Sequence, residues 1–226
     1  DGTQEVLGTT FIDDCQWDRL SEYELLQDSS KVSAVHDAAE GCLKIVKTTV
    51  GSRNHLLLVK GVNLRGGGFF RFKYQNNVPM YPHGLLIGSD GILTAPNNYN
   101  INNGILIGRS LEIYTNGVQT TVATYSEILE TIITIDVLWI PSASQITIWI
   151  NGDLKGTYTN ALLNTGYGRI GSYSYETSNW TKKDYRMYSL QAIGLDSDAT
   201  NGIAACIPPI GGGARYGVEE SVYNTF

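Results

Sequence analysis

Residues Gln145–Asn160 read QITIWINGDLKGTYTN, and that stretch decides the fold. Ile146, Ile148 and Ile150 fall on one side of an extended chain, with Gln145, Thr147 and Trp149 on the other. A repeat of two marks a half-buried strand. Asn151-Gly152 then supplies two residues that tolerate positive φ, as the type I′ turn of a two-residue hairpin requires. Asp153–Tyr158 is expected to return antiparallel.

The same pattern spreads in both directions. Leu43–Thr49 and His55–Lys60 read as strands separated by Gly51-Ser52. After the tight turn Arg65–Gly68 come Phe69–Tyr74 (FFRFKY) and Leu85–Gly88. Gly104–Ile107 leads into Ser110–Tyr114, which turns at Asn116-Gly117 towards Val118–Tyr125. Thr131–Ile140 stops at Pro141, and Gly168–Tyr173 and Tyr185–Ile193 close the series. Helix is expected only as a turn or two at Asp18–Gln27 and at Ala34–Glu40, neither amphipathic over a useful length. Many antiparallel strands at about ten-residue spacing imply an all-β, two-sheet antiparallel sandwich or jelly roll. No linker interrupts it, so residues 1–226 read as a single domain, with 202–226 as a C-terminal tail that wraps it.

Composition narrows the function. The 226 residues are 42% hydrophobic, enough for a core, and only 17% charged, below the roughly 25% of an average soluble domain. Gly (25) and Tyr (14) are plentiful. That mixture suits a rigid, weakly charged protein working outside a cytoplasm, at a cell surface, in a secreted matrix or on a virion. A net charge of −6 with no basic block repels phosphate backbones and anionic membranes, which argues against nucleic acid. No apolar run approaches the ~20 residues of a membrane span. The chain begins at Asp1 with no Met and no signal-like segment, as a processed product or an excised domain would. Cys15, Cys42 and Cys206 lack zinc spacing. They read either as a Cys15–Cys42 disulfide with one spare thiol or as three buried thiols.

The order of the segments resembles a known superfamily. GCLKIVKTT resembles the early strand of laminin-G-like, concanavalin A-like jelly rolls, and FFRFKY the strand that follows it. TIITIDVLWIPSASQITIWINGDLKGTYTN resembles their central signature, in which a strand, a turn and an N/D-G hairpin succeed one another. GRIGSY and KKDYRMYSLQAI resemble the strands that close the sandwich. Together these motifs cover most of the chain from about Gly41 to Ile193. The resemblance implies a concanavalin A-like lectin/glucanase jelly roll whose loops and concave face meet a ligand. The tail GIAACIPPIGGGARYGVEESVYNTF resembles, more faintly, an extension found after such domains in bacterial surface and phage structural proteins.

Enzymes of that superfamily carry recognisable catalytic patterns. Its laminarinase-type hydrolases carry E-x-D-x-E on one strand, which sets three carboxylates on one face. Here Glu127-Ile-Leu-Glu130 has the wrong spacing and lacks the central Asp, so it reads as exposed loop carboxylates rather than a catalytic set. Alginate-type lyases combine a strand Arg and Glu with Gln-x-His and tyrosines. Arg109 and Glu112 stand in the wrong order for that set, and His55 follows Asn54. Neither His36 nor the other histidines sit in a nucleophile motif. Arg65-Gly-Gly-Gly68 has no Lys-Ser/Thr and no helix after it, so it reads as a turn rather than a phosphate loop.

Sugar recognition needs flat aromatic faces beside amide and carboxylate groups. Two segments offer both. Met80–Asn103 carries His83, Asp90, Asn98 and Tyr99, and Tyr173–Lys183 carries Tyr173, Tyr175 and Trp180. The expected roles are stacking for Tyr99, Tyr173, Tyr175 and Trp180, and hydroxyl contacts for Asn98, His83 and Asp90. Turn chemistry alone would also favour such asparagines. Calcium is a candidate ligand, at Asp90 with Asn97–Asn100 or at Asp196 and Asp198, although Asx turns account for both. Asn179-Trp-Thr181 fits the N-glycosylation pattern. The leading expectation is a non-catalytic glycan-binding or adhesion domain. The alternatives are a polysaccharide hydrolase or lyase, and a structural virion or surface subunit that associates with copies of itself.

Overall fold

The computed structural model describes residues 10–27, 32–47, 53–76, 83–90, 101–125, 131–176 and 185–195. Fifteen strands are described there. They are β1 (Thr10–Asp13), β2 (Tyr23–Gln27), β3 (Val32–Asp37), β4 (Cys42–Lys47), β5 (Arg53–Val59), β6 (Gly68–Asn76), β7 (His83–Ser89) and β8 (Gly104–Gly108). There follow β9 (Ser110–Thr115), β10 (Val118–Thr124), β11 (Ile132–Ile140), β12 (Gln145–Ile150), β13 (Asp153–Thr159), β14 (Arg169–Glu176) and β15 (Tyr185–Gly194). Three 3-10 turns complete the described elements. None of these helices is long and apolar enough to cross a membrane.

All described pairings are antiparallel and form two sheets. The first runs β13-β12-β11-β6-β15-β4-β3, with β1 also on β15, and the second runs β10-β9-β8-β7-β14-β5-β2. Asn151 at φ 53 and Gly152 at φ 87 make the positive-φ pair that β12 and β13 need, and Asn116 and Gly117 repeat it for β9 and β10. Arg65–Gly68 is a turn: Gly67 N–H donates to the Leu64 carbonyl at 2.9 Å. A β-carbon on Gly67 would lie 2.2 Å from the Trp139 carbonyl oxygen.

Two segments expected to hold helical turns are largely strand. Asp18–Gln27 holds a 3-10 turn at Leu20–Glu22 and then β2, and Ala34–Glu40 lies largely in β3. Their partners, β5 and β4, fix the extended state. β5 lies some thirty residues along the chain from β2, out of reach of a local pattern.

Alternation sends one side of each sheet inwards. Phe70, Phe72, Tyr74, Ile133, Ile135, Val137, Trp139, Ile146 and Ile148 come from the first sheet, and Leu57, Leu85, Ile87, Ile105, Ile107, Leu111 and Ile113 from the second. Trp139 is fully buried and donates its indole N–H to the Leu163 carbonyl at 2.8 Å. Cys15 and Cys42 are free and buried, so the disulfide expected as one alternative is not formed. Cys15 joins the core, whereas alternation with the core residues Leu43 and Ile45 aims Cys42 away from it.

Two outcomes follow from this packing. Gly88 sits at φ +61, and a β-carbon there would meet Thr165 Oγ1 at 2.7 Å and Trp139 Cη2 at 2.9 Å. Gly88→Ala should therefore lose about 1–3 kcal/mol, read as a lower urea midpoint. Burial, with the charge of Asp13 second, pushes the Cys15 thiol up to about 12. An unfolded thiol titrates near ~8.5. The stability that this burial contributes is thus complete below that pH and is lost as pH rises towards the folded value. The urea midpoint should fall between about pH 8.5 and 11, less steeply in Cys15→Ala. Both thiols should label only after denaturation.

Candidate functional site

With the inward faces spent on the core, function is left to the outer faces and the ends of the sandwich. The outer face of the first sheet is polar at its centre: Arg71 grips Asp136 through bonds of 2.6 and 3.3 Å. The second sheet differs. Leu56, Leu58, Leu86, Ile101, Leu106, Tyr114 and Tyr173 form a separate buried cluster there, with Leu26 against it.

Register places these side chains. One row across the strands is Leu26–Leu56–Tyr173–Gly84–Gly108. The next is Glu24–Leu58–Gly171–Leu86–Leu106–Glu112–Thr121. Tyr114 stands beyond, opposite Gly104 on one side and Gln119 on the other. Glycines thus strip side chains from part of the face, between the Tyr173 ring and the polar edge at β9.

That edge holds a linked set of groups. Ser110, Glu112 and Tyr114 alternate along β9 and so share one face. Ser110 Oγ donates to Glu112 Oε1 at 2.5 Å, and the Tyr114 hydroxyl donates to Oε2 at 2.8 Å. Burial, then the charge and hydrogen bond of Glu112, pushes the Tyr114 phenol far above its ordinary value, and Tyr173 adds to the shift. The phenol therefore stays a donor. Glu112 is itself 6% exposed, while Gln119 and Thr121 on the neighbouring edge strand are open to solvent. Sequence reasoning noticed Glu112 only as a failed lyase motif. The polar period S-x-E-x-Y inside an apolar strand is the signal that would have found the set.

The residues named from sequence are placed as follows. Tyr173 lies within β14 rather than in a loop, 3% exposed, so its ring presents no open face. His83 opens β7, is 2% exposed and sits 5.9 Å from the Tyr74 ring, in an edge-on arrangement. Tyr175 is paired with Asn54 on β14, but its side chain, like Asn98, Tyr99 and Trp180, is outside the described residues. The two aromatic segments are anchored apart. Ser89 pairs with Arg169 at one end of β7, and His83 pairs with Ser174 at the other. The two described residues that precede these segments, Asp90 and Glu176, thus lie towards opposite ends of β7, whose pairs at Ser89 and His83 are about 20 Å apart along the strand.

Asp90 is a clasp. It accepts from Asn102 Nδ2 at 2.8 Å, Asn103 Nδ2 at 2.6 Å and Asn103 N–H at 3.4 Å. Asn103 Oδ1 in turn accepts from Asn116 N–H at 3.0 Å, and Gly117 N–H donates to the Asn102 carbonyl at 2.8 Å. Amide hydrogens around a carboxylate are the opposite of a cation's shell, so this arrangement does not fit calcium. Among the described residues no group of three or more His, Cys, Asp or Glu could hold a metal. Asn97–Asn100, Asp196 and Asp198 lie outside them. Asp90→Ala should cost about 1–3 kcal/mol and speed hydrogen exchange at Asn103, Asn116 and Gly117, measured amide by amide.

No protein-family model matches the sequence, and comparison with curated proteins gives no match. Solved structures do match. Peanut lectin, in complex with a nine-residue peptide, is similar over 83% of this chain and 97% of its own, with a TM-score of 0.62 and 10% identity. The exoplasmic/lumenal domain of VIP36, bound to Ca²⁺ and Man3GlcNAc, covers 86% and 92%, with a TM-score of 0.57 and 10% identity. Bacillus licheniformis β-glucanase covers 83% and 99%, with a TM-score of 0.53 and 12% identity. Lectins and a glycoside hydrolase share this architecture at identities too low to transfer an activity. From register, topology and these likenesses together, the chain has the concanavalin A-like lectin/glucanase jelly-roll fold.

Proposed function

We propose that the protein binds glycans without cleaving them, on the outer face of the second sheet, at the edge formed by β9 and β10. The observation that carries this reading is the hydrogen-bonded Ser110–Glu112–Tyr114 set bordering the exposed edge strand β10. Carboxylate and hydroxyl groups supply the polar half of sugar recognition, and with the Tyr173 ring closed off the stacking half would fall to Tyr99. Exposed Gln119 and Thr121 supply further hydrogen-bonding groups at the same edge. Asn98 and Tyr99 belong to the segment between Asp90 and Ile101, and Ile101 packs on this face, which favours their taking part. Tyr175 and Trp180 would serve the opposite end.

Hydrolysis by paired carboxylates finds no support in the described part of this face. Glycosidase carboxyls stand about 5–10 Å apart. Glu24 and Glu112 are five strands apart in one row, about 24 Å along the sheet. Glu24 is moreover paired with Arg169. The proposal includes a setting outside the cytoplasm, at a cell surface, in a secreted matrix or on a virion, where glycans are met. A calcium-dependent mode would draw on Asn97–Asn100 or Asp196 and Asp198 rather than on Asp90. Self-association through sheet edges is compatible with it.

Screening on a glycan array, with calcium and with chelator, tests the reading. Retention of at least one glycan class in either condition is expected, with no release of reducing ends and no unsaturated product. Silence in both conditions, with unchanged tryptophan fluorescence in solution, would sink it.

A further inference from the structure

Glu112, unlike Glu24 across the same row, has no cation beside it among the described residues. Ser110 and Tyr114 fill one acceptor position on each oxygen, whereas a carboxylate offers about four. A buried charge held by two neutral hydroxyls alone is under-satisfied. On the edge-strand side Glu112, 6% exposed, pairs with exposed Thr121, and Tyr114 with exposed Gln119. Glu24, at the far side of the face, has the Arg169 guanidinium as its partner. The negative charge at β9 is therefore uncompensated locally, on a chain whose net charge is −6.

Resting on the glycan-binding reading above, we infer that Glu112 sets specificity by accepting hydroxyl hydrogens from a neutral saccharide, and that it turns acidic saccharides away. A pair of sugar hydroxyls supplies the two donors that the carboxylate lacks. A uronate brings a second negative charge up to Glu112, which no described cation balances, and the two repel at a solvent-facing edge that salt screens. Ser110 and Tyr114 act as positioning residues that aim the carboxylate. No bond is made or broken.

The test uses immobilised oligomers of glucose, mannose and galactose beside the matching oligomers of their uronic acids. The wild-type protein should retain neutral oligomers and pass over the uronates, with the rejection relaxing as salt is raised. Glu112→Gln should weaken neutral binding about tenfold or more and raise uronate binding, with an unchanged melting temperature. Equal binding of uronates and neutral oligomers by the wild-type protein, which needs no variant to fold, overturns the inference. So does a folded Glu112→Gln that binds neutral oligomers unchanged. Either result leaves glycan binding standing, whereas retention of no oligomer of either class removes both.

Discussion

What joins the two sheets is the apolar layer between them. Trp139, Phe70, Phe72 and Tyr74 on one side meet Leu85, Ile87, Ile105 and Ile107 on the other, and all are buried. Such a layer gains from every inward side chain and tolerates few voids. It also dictates where anything else can happen. Every second residue of most strands is committed to the interior, so recognition is left to the alternate residues and to the ends.

The two outer faces have taken different courses. On the first sheet, Arg71 and Asp136 satisfy one another in a charge-assisted pair. On the second, apolar side chains and two tyrosines crowd together between polar groups at either side, Glu24 with Arg169 at one and Ser110, Glu112 and Tyr114 at the other. Glycines at 84, 108 and 171 lie in adjoining strands and keep side chains off the middle of that face. Gly84 also needs its φ of +143, with an added β-carbon only 2.0 Å from the Ile107 carbonyl oxygen. A polar edge beside an apolar strip makes this face the more chemically divided of the two.

Strands were legible wherever pairing is local or alternation is clean. QITIWI, the Asn-Gly turns and FFRFKY announced themselves, since their signals lie within a few residues. YELLQ at β2 did not, because its partner some thirty residues on holds it extended, and VSAVHD at β3, though paired with the next strand, was masked by the helix-favouring Ala38-Ala-Glu40 that follows it. The candidate site was harder. Tyr173 and His83 look like loop ligands in sequence, yet ladder pairing carries β14 to Glu176 and begins β7 at His83, which buries both. Asp90 looks like a metal ligand until Asn102 and Asn103 are seen to donate to it.

The sequence by itself determined an all-β sandwich, its hairpins and most of its strands, because a period of two and positive-φ turns are local properties of the chain. It also determined the weak charge that disfavours polyanions. Only the tertiary structure decided which alternate residues share a face. It set the face shared by Ser110, Glu112 and Tyr114 on the same side as Leu58, Gly171 and Tyr173, and put the described ends that precede the two aromatic segments at opposite ends of β7. Register between strands that are distant in sequence sets those neighbours, and a shift of one residue would have turned every one of them to the other side.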